Sequence, residues 1–280
     1  GVLEIRRNRE SGSVIFLVDE YFREKNSLLP RLPYESGDHI FYVSVKEEPT
    51  TQSIDCLLAR VTAAQPKPCA IVGIGGGSTL DSTKALSNLL TNGGSASDYQ
   101  GWDLVRVPGV YKVGIPTLSG TGAEATRTCV MTNKVTGLKL GMNSDFTVFD
   151  QLLLDSNLTA TVPKPQYFFS GMDAWIHCVE SLNGSYRNPV GDAFSTQAIT
   201  LCTDVFSSSE MMSDSNRSKL MVASYLGGCA IATSYVGLVH PFSAGLSVVL
   251  GFRHCEANCI AMMAMESFYP EHYRQYRLFI

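Results

Sequence analysis

Hydrophobic positions in the first half of the chain form short continuous runs separated by longer periodic segments. β-Branched and aromatic residues run almost without interruption through four stretches, which is typical of buried parallel strands. We predict strands at 14–19, 39–45, 69–75 and 111–116. Segments 50–64 and 78–92 repeat apolar residues at helical spacing. Because strands alternate with helices, we predict an α/β domain with a doubly wound, mostly parallel sheet.

The pattern changes after about residue 155. Four later segments carry apolar residues at helical period, and caps or helix breakers separate them. They are 163–184, 189–208, 216–237 and 252–269. We therefore predict an α/β domain at 1–155 and an all-α domain at 156–280. The sequence stops within a helical pattern, so we expect the helical domain to be incomplete at its C-terminus.

Composition excludes several classes of function. The 22 basic and 26 acidic residues give a net charge of −4, and no basic run matches a nucleic-acid footprint. No apolar stretch reaches the roughly 20 residues that span a bilayer, and the N-terminal residues contain no signal-peptide core. Eight cysteines are scattered without C-x-x-C pairs. We expect a protein with reduced thiols, located in the cytoplasm, that binds neither membrane nor nucleic acid.

The segment SGMDAWIHCVESLNG, residues 170–184, places an acid and a histidine one helical turn apart. Asp173 and His177 project from the same face of a helix and can share a metal ion. An alternative is structural, because Ser170 and Asp173 also have the spacing of a helix capping box. In that case His177 is an ordinary core histidine.

Two glycine-rich turns follow predicted strands. Gly75, Gly76 and Gly77 come directly after one strand, and Ser78 stands where a helix N-cap is expected. Such a turn allows close approach of a pyrophosphate to the helix N-terminus. The second turn, PTLSGTG at 116–122, surrounds its glycines with hydroxyl groups. The first turn matches neither a Rossmann fingerprint nor a P-loop, and a plain structural role for both turns remains the alternative.

Three of the five histidines lie on apolar segments of the helical half. His177, His240 and His254, together with Asp173, supply one carboxylate and three imidazoles. This ligand set suits a divalent first-row metal such as Fe²⁺ or Zn²⁺. Cys255 and Cys259 beside His254 offer an alternative zinc site, although no second pair completes four ligands.

The motifs in this order resemble the iron-containing, or metal-dependent, alcohol dehydrogenase family. They are GGGS, P-T-x-x-G-T-G-x-E, G-M-D-A-x-x-H, and two histidines 14 residues apart, the second followed by x-x-A-N. The resemblance extends from about residue 14 to residue 265. It favours the metal interpretation of Asp173 over the capping box, and it implies the architecture of dehydroquinate synthase-like proteins.

The resemblance also implies a set of site residues. The metal ligands, and with them the catalytic residues, would be Asp173, His177, His240 and His254. Cofactor contacts, with NAD or NADP as cofactor, would be Gly75, Gly76, Gly77, Ser78, Asp81, Thr117, Thr121 and Lys139. The metal would act as a Lewis acid on an alcohol oxygen while hydride passes to the nicotinamide.

Four segments look like one branch of the family, the 3-deoxy-D-manno-octulosonate 8-oxidases. They are 97–110, 137–151, 177–188 and 222–247. This likeness implies oxidation of the C8 primary alcohol of an eight-carbon sugar acid to an aldehyde. That reaction feeds 8-amino sugar and lipopolysaccharide biosynthesis. Relatives are commonly homodimers or larger homo-oligomers, which we also expect here.

Two departures from the family pattern leave the electron acceptor open. Ala244 stands where many members carry a further histidine, and Val43 stands where NAD-preferring members carry an aspartate. NAD, NADP and oxygen therefore remain alternative acceptors.

Three other functions remain as alternatives. One is an NAD(P)-dependent dehydrogenase of another small alcohol or polyol. The second is a lyase similar to 3-dehydroquinate synthase, which would need more basic residues than the helical half contains. The third is a nucleotide-binding module without catalysis, which would bind no metal.

Overall fold

The computed structural model of the protein describes residues 12–24, 32–65 and 67–280. Residues 1–11, with which the predicted first domain begins, lie outside these ranges. The strands are β1 Val14–Asp19, β2 His39–Val43, β3 Ala70–Gly75, β4 Gly101–Trp102, β5 Lys112–Pro116, β6 Thr128–Asn133, β7 Leu138–Asn143 and β8 Gln151–Leu152. The helices are α1 Tyr21–Glu24, α2 Thr51–Ala64, α3 Gly77–Asn92, α4 Lys164–Asn183, α5 Pro189–Phe206, α6 Asp214–Ser234, α7 Val239–Leu250, α8 His254–Met262 and α9 Pro270–Phe279.

The chain divides into two compact units. Of the described residues, the first unit comprises those up to Pro116 together with Arg127–Leu154, and the second comprises Thr117–Thr126 and Asp155–Ile280. The predicted division at 155/156 did not anticipate that the loop after β5 groups with the helices. One of its contacts there is a hydrogen bond that the N–H of Gly120 donates to the hydroxyl of Ser224 on α6 at 2.8 Å.

A parallel sheet in the order β2-β1-β3-β5-β8 forms the centre of the first unit. Its four longer strands confirm the predicted strands to within one or two residues, and all six residues of β3 are buried. The strand order reverses at β1, as in doubly wound sheets. In open α/β sheets, ligands bind beyond the carboxyl ends of the two strands that flank this reversal. In this sheet those strands are β1 and β3.

A small second sheet in the first unit was not predicted. Strands β6 and β7 pair antiparallel over six residues each, and β4 adds to β7. This hairpin alternates buried and accessible residues, and Leu138 and Leu140 are exposed. It therefore lacks the continuous apolar run by which the buried strands were recognised.

Helices alone build the second unit after residue 155, as predicted. All residues from 155 to 280 are described, and none lies in a strand. Trp175 on α4 is fully buried, and its ring stacks on that of Tyr276 on α9 with centroids 6.2 Å apart. Removing a buried tryptophan typically costs about 3–5 kcal/mol of stability, so this pair anchors the helical core.

Two further expectations concern membranes and thiols. Within the described ranges, no individual helix has the length and apolarity to cross a bilayer. Only α6 and α7 taken together, with a bend of 106° between them, would meet those criteria of length and composition. The eight cysteines, all within the described ranges, form no disulfide; five are buried, and Cys56 is exposed.

Candidate metal centre and nucleotide-binding turn

Helix α4 places its acid and histidine in the interior of the second unit. The helix begins at Lys164 with Pro163 as N-cap, so Ser170 lies well inside it. The capping-box alternative is therefore wrong, and the Ser170 hydroxyl instead accepts a hydrogen bond from Gln166 at 2.8 Å. Asp173 is fully buried, and His177 is 3 % exposed.

Helices α7 and α8 bring the other two predicted histidines to the same carboxylate. His240 is the second residue of α7, and its Nε2 lies 3.4 Å from Oδ1 of Asp173. His254 is the first residue of α8, and its Nε2 lies 3.7 Å from Oδ2 of Asp173. From α4 itself, Nε2 of His177 lies 3.6 Å from Oδ1 of Asp173.

Three of the four side chains bring their ligand atoms especially close together. Ligand atoms of Asp173, His240 and His254 all lie within 4.8 Å of one another and can hold one metal ion. His177 is not part of that group, but its ring stacks on that of His240 with centroids 4.6 Å apart. The fold thus places three imidazoles around the carboxylate of Asp173, as the motifs in the sequence implied.

Asn258 is a neighbour of this cluster that was not identified from the sequence as a site residue. It lies one helical turn after His254 on α8 and is fully buried. Its amide nitrogen donates to Oδ1 of Asp173 at 2.6 Å and lies 3.2 Å from Nε2 of both His240 and His254. The carboxylate and the two ring nitrogens therefore converge on one small volume.

The cysteine alternative for a zinc site is not supported. Cys255 is buried, and its thiol donates to Oδ2 of Asp173 at 3.5 Å. Burial raises the pKa of the Cys259 thiol to about 12 and also raises the pKa of Cys255. Among the described residues, the ligand atoms that lie close enough together to hold one ion belong to Asp173, His240 and His254, and neither thiol is part of that group.

Buried charges in this cluster compensate one another. Burial alone would raise the pKa of Asp173, but His177, His254 and His240 hold it well below its usual range. Burial lowers the pKa of His177 to about 4. Burial would also lower the pKa of His240, but Glu180 and Asp173 raise it to about 10. Asp173 is thus an anion whose compensating charge comes from imidazoles or from a bound cation.

The first glycine turn joins β3 to α3 in the first unit. Helix α3 begins at Gly77 with Gly76 as N-cap, and no side chain caps it. The predicted N-cap, Ser78, is wrong, since it lies one residue inside the helix. A Cβ atom on Gly75 would lie 2.5 Å from the side chain of Thr79, so the turn has no room for a side chain there. Free N–H groups at a helix start favour an anion.

Two predicted cofactor residues of the first unit already have protein partners. Asp81 on α3 accepts a hydrogen bond from the backbone N–H of Val130 at 3.0 Å, and burial raises its pKa to about 6. Lys139 on β7 pairs with Glu48 at 2.5 Å. Asp81 therefore also holds the hairpin in place.

Predicted cofactor residues Thr117 and Thr121 belong to the second unit. Thr117 is buried, and the hydroxyl of Thr121 accepts from the N–H of Ala123 at 3.3 Å. Beside them, the hydroxyl of Ser224 donates to the buried carboxylate of Glu124 at 2.8 Å. This buried pair, like Asn258, was not assigned a role from the sequence.

The fold combines an α/β unit with a helical unit, and the helical unit brings together one carboxylate and three imidazoles. Residues 6–156 match the family model for iron-containing alcohol dehydrogenase, and residues 168–276 match its C-terminal counterpart. The chain belongs to the iron-containing alcohol dehydrogenase family. The family resemblance inferred from the motifs is therefore confirmed, whereas the 8-oxidase branch within it is not shown.

Similar proteins include enzymes of several small substrates. The chain is 33 % identical over 217 residues to the sulfoacetaldehyde reductase of Bilophila wadsworthia, covering 76 % of this chain and 55 % of that protein. It is 32 % identical over 195 residues to the NAD-dependent methanol dehydrogenase of Bacillus methanolicus, covering 69 % and 51 % respectively. The chain thus spans about half the length of the curated relatives it matches.

Solved structures share the fold. The crystal structure of a 1,3-propanediol oxidoreductase superposes with a TM-score of 0.85 at 26 % identity, covering 99 % of this chain and 74 % of that chain. A sulfoacetaldehyde reductase from Bifidobacterium kashiwanohense in complex with NAD⁺ gives a TM-score of 0.82 at 22 % identity, covering 94 % and 71 %. The α/β sheet followed by helices is therefore the family fold.

Proposed function

We propose that the protein is a metal- and nicotinamide-dependent oxidoreductase that converts a primary alcohol to an aldehyde. The observation that carries this proposal is the cluster of Asp173, His177, His240 and His254 within the helical unit, centred on the fully buried carboxylate of Asp173. Family membership supports the same reaction class.

The donor set of the cluster fits a divalent cation. Ligand atoms on a tetrahedral zinc with bonds of about 2.1 Å stand roughly 3.4 Å apart. The Nε2 atoms of the three histidines lie 3.4, 3.6 and 3.7 Å from the carboxylate oxygens of Asp173. A fully buried carboxylate also requires a compensating positive charge. We assign Asp173, His177, His240 and His254 as the residues that hold Fe²⁺ or Zn²⁺.

Each side chain then has a definable role. The bound cation would polarise the alcohol oxygen as a Lewis acid. Asp173 balances its charge, and the three imidazoles must be neutral to donate their lone pairs, so cation affinity weakens in acid. His254 is the most accessible of the four, with 28 % of its side chain exposed, and marks the side open to substrate and water.

The first unit supplies features suited to a dinucleotide. Gly75, Gly76, Gly77 and Ser78 form a turn at the strand reversal, where the uncapped start of α3 suits a pyrophosphate. We assign Asp81 and Lys139 of this unit to further contacts with NAD or NADP, and we assign the same role to Thr117 and Thr121, which group with the second unit. The nicotinamide would accept the hydride from the alcohol carbon. The NAD-dependent methanol dehydrogenase and the NAD⁺ complex among the similar proteins favour NAD.

For the substrate we propose the C8 primary alcohol of 3-deoxy-D-manno-octulosonate, in lipopolysaccharide biosynthesis. The support is the likeness of segments 97–110, 137–151, 177–188 and 222–247 to that branch. A second candidate is a small alcohol or diol, which the names of the similar methanol and 1,3-propanediol enzymes favour. We further propose a cytoplasmic homodimer or larger homo-oligomer.

One experiment separates these possibilities. The purified protein would be loaded anaerobically with Fe²⁺ or Zn²⁺, and bound metal would be quantified. It would then be incubated with the octulosonate or with 1,3-propanediol while reduced nicotinamide absorbance and oxygen consumption are followed. We expect one metal per chain and NADH formation with the octulosonate. Turnover of propanediol alone would favour the second candidate, and a protein that binds neither metal nor nucleotide would contradict the proposal.

A further inference from the structure

Glu180 continues the functional face of helix α4 beyond the four assigned ligands. Asp173, His177 and Glu180 stand at positions i, i+4 and i+7, which lie on one side of a helix. The Glu180 side chain is fully buried. A buried carboxylate is costly unless its oxygens are well paired, so the partners of Glu180 indicate what it does.

The hydrogen bonds of the Glu180 carboxylate lead to the start of helix α7. Oε2 contacts the ring nitrogen Nδ1 of His240. Oε1 accepts from the backbone N–H of Val239 at 2.6 Å and from that of His240 at 3.2 Å. One carboxylate therefore binds both the ring and the backbone of His240.

We propose that Glu180 is the positioning residue that fixes the ring and the tautomer of His240 for cation binding. This inference rests on the proposed metal-dependent function and assigns a role to a residue outside the ligand set. Glu180 acts through His240 and is not itself a ligand.

The tautomer follows from hydrogen-bond chemistry. A carboxylate only accepts, so Nδ1 of His240 must carry a hydrogen when it contacts Glu180. In the neutral ring, the lone pair then lies on Nε2, which is the nitrogen 3.4 Å from Oδ1 of Asp173. Carboxylate partners of this kind generally fix the orientation and raise the basicity of metal-bound histidines.

The backbone contacts fix the ring relative to its helix. Leu238, the N-cap residue of α7, supplies no side-chain acceptor, and Glu180 caps the helix instead. The turn before α7 lies directly on Glu180, because a Cβ atom on Gly237 would come within 3.2 Å of the Glu180 Cβ. On the other side, the N–H of Leu238 donates to the hydroxyl of Tyr269 at 3.1 Å.

A purely structural cap can be distinguished from a positioning role with two variants. Glu180→Gln retains the shape and one backbone acceptor, but its amide NH₂ would face Nδ1 and favour the hydrogen on Nε2. Tyr269→Phe removes the other cap of the same helix and leaves the ring of His240 untouched. Both variants should lower the melting temperature of the metal-free protein by a few degrees.

The first measurement is the affinity of each protein for Zn²⁺ by competition with a chelator. We expect Glu180→Gln to bind zinc about 10- to 100-fold more weakly, as for loss of other outer partners of metal-bound histidines. Tyr269→Phe should stay close to the wild type. Equal affinities of the wild type and Glu180→Gln, or equal losses in both variants, would overturn the positioning role.

The second measurement does not depend on whether the variant folds. Nitrogen NMR of the zinc-loaded wild type, labelled with ¹⁵N in histidine, reports which ring nitrogen of His240 carries the hydrogen. We expect the hydrogen on Nδ1, and a hydrogen on Nε2 would overturn the inference. If the wild type itself bound no zinc, the proposed function would fail and the inference with it, whereas zinc binding with the wrong tautomer would reject Glu180 alone.

Discussion

The two units build their candidate sites from different materials. In the first unit, the turn at Gly75–Ser78 is four consecutive residues that offer backbone N–H groups. In the second unit, the candidate metal ligands are buried and partly buried side chains on α4, α7 and α8, spread over residues 173–254. A backbone site should tolerate most changes except an added side chain. A side-chain site should depend on each charged group.

The largest effect is expected for Asp173→Ala. Cation affinity should fall by roughly 1000-fold or more, because the variant loses a ligand outright, whereas losing a supporting partner costs about 10- to 100-fold. Zinc titration against a chelator measures this. Asp192→Ala is the matched control, since Asp192 pairs with the exposed Arg187 near the start of α5 and is not one of the candidate ligands. Similar zinc affinities for both variants would remove Asp173 from the site.

Next in size is Gly75→Ala in the turn of the first unit. The added Cβ would meet the side chain of Thr79, which is itself fully buried, so we expect a loss of about 3 kcal/mol in unfolding free energy. Gly245→Ala on α7 is the control, because a Cβ there meets nothing within 4 Å. It should be neutral or stabilising by about 0.5–1 kcal/mol. If urea unfolding gave equal unfolding free energies for both variants, the claim that the turn has no room for a side chain at Gly75 would be contradicted.

A smaller effect is expected for pH and Asp81. Its pKa is raised by burial to about 6, so the native state holds a proton that the unfolded state has released. Its contribution to stability is therefore present below about pH 4 and is lost as pH rises through about 6, by less than about 3 kcal/mol. Asp81→Asn should lack this decline. Unfolding free energies measured between pH 4 and 7 test it, and parallel curves for both proteins would contradict it.

The smallest effect is expected for an ion pair on the surface, in contrast to the charges of the candidate metal centre. Lys219 and Asp204 form a half-exposed ion pair at 2.8 Å on the second unit. Lys219→Ala should cost less than about 0.5 kcal/mol and leave zinc affinity unchanged, because solvent screens such pairs. Chemical denaturation and the zinc titration check both statements. A large loss of zinc affinity would show that charges outside the cluster also determine how tightly the cation binds.

Much of the fold could be predicted because buried strands and helices show a clear pattern of apolar residues in the sequence. The strands β1, β2, β3 and β5 carry continuous apolar runs, and the later helices have caps and breakers between them. The β6–β7 hairpin was missed because only one face is buried. The grouping of Thr117–Thr126 with the helices was also unforeseen, since it depends on contacts with α6 that lie about 100 residues further along the chain.

The candidate metal ligands could be predicted from the sequence, but the residues that hydrogen-bond to them could not. Asp173, His177, His240 and His254 were identified from motif order, and their convergence requires the fold. Glu180 carried a usable signal, since it continues the face of Asp173 and His177 at the next turn of α4. Asn258 likewise lies one turn after His254. Spacing alone does not tell whether such residues bind a neighbour or only fill the core.

The packing of Trp175 gives each unit its own optical reporter. The sequence contains two tryptophans: Trp175 is fully buried in the second unit, on the helix that carries Asp173 and His177, whereas Trp102 is 57 % exposed in the first. The enclosed indole should fluoresce at shorter wavelength than the hydrated one. Emission from the native protein can therefore be resolved into two bands, and replacing either residue with phenylalanine would let melting be followed separately in the two halves of the molecule.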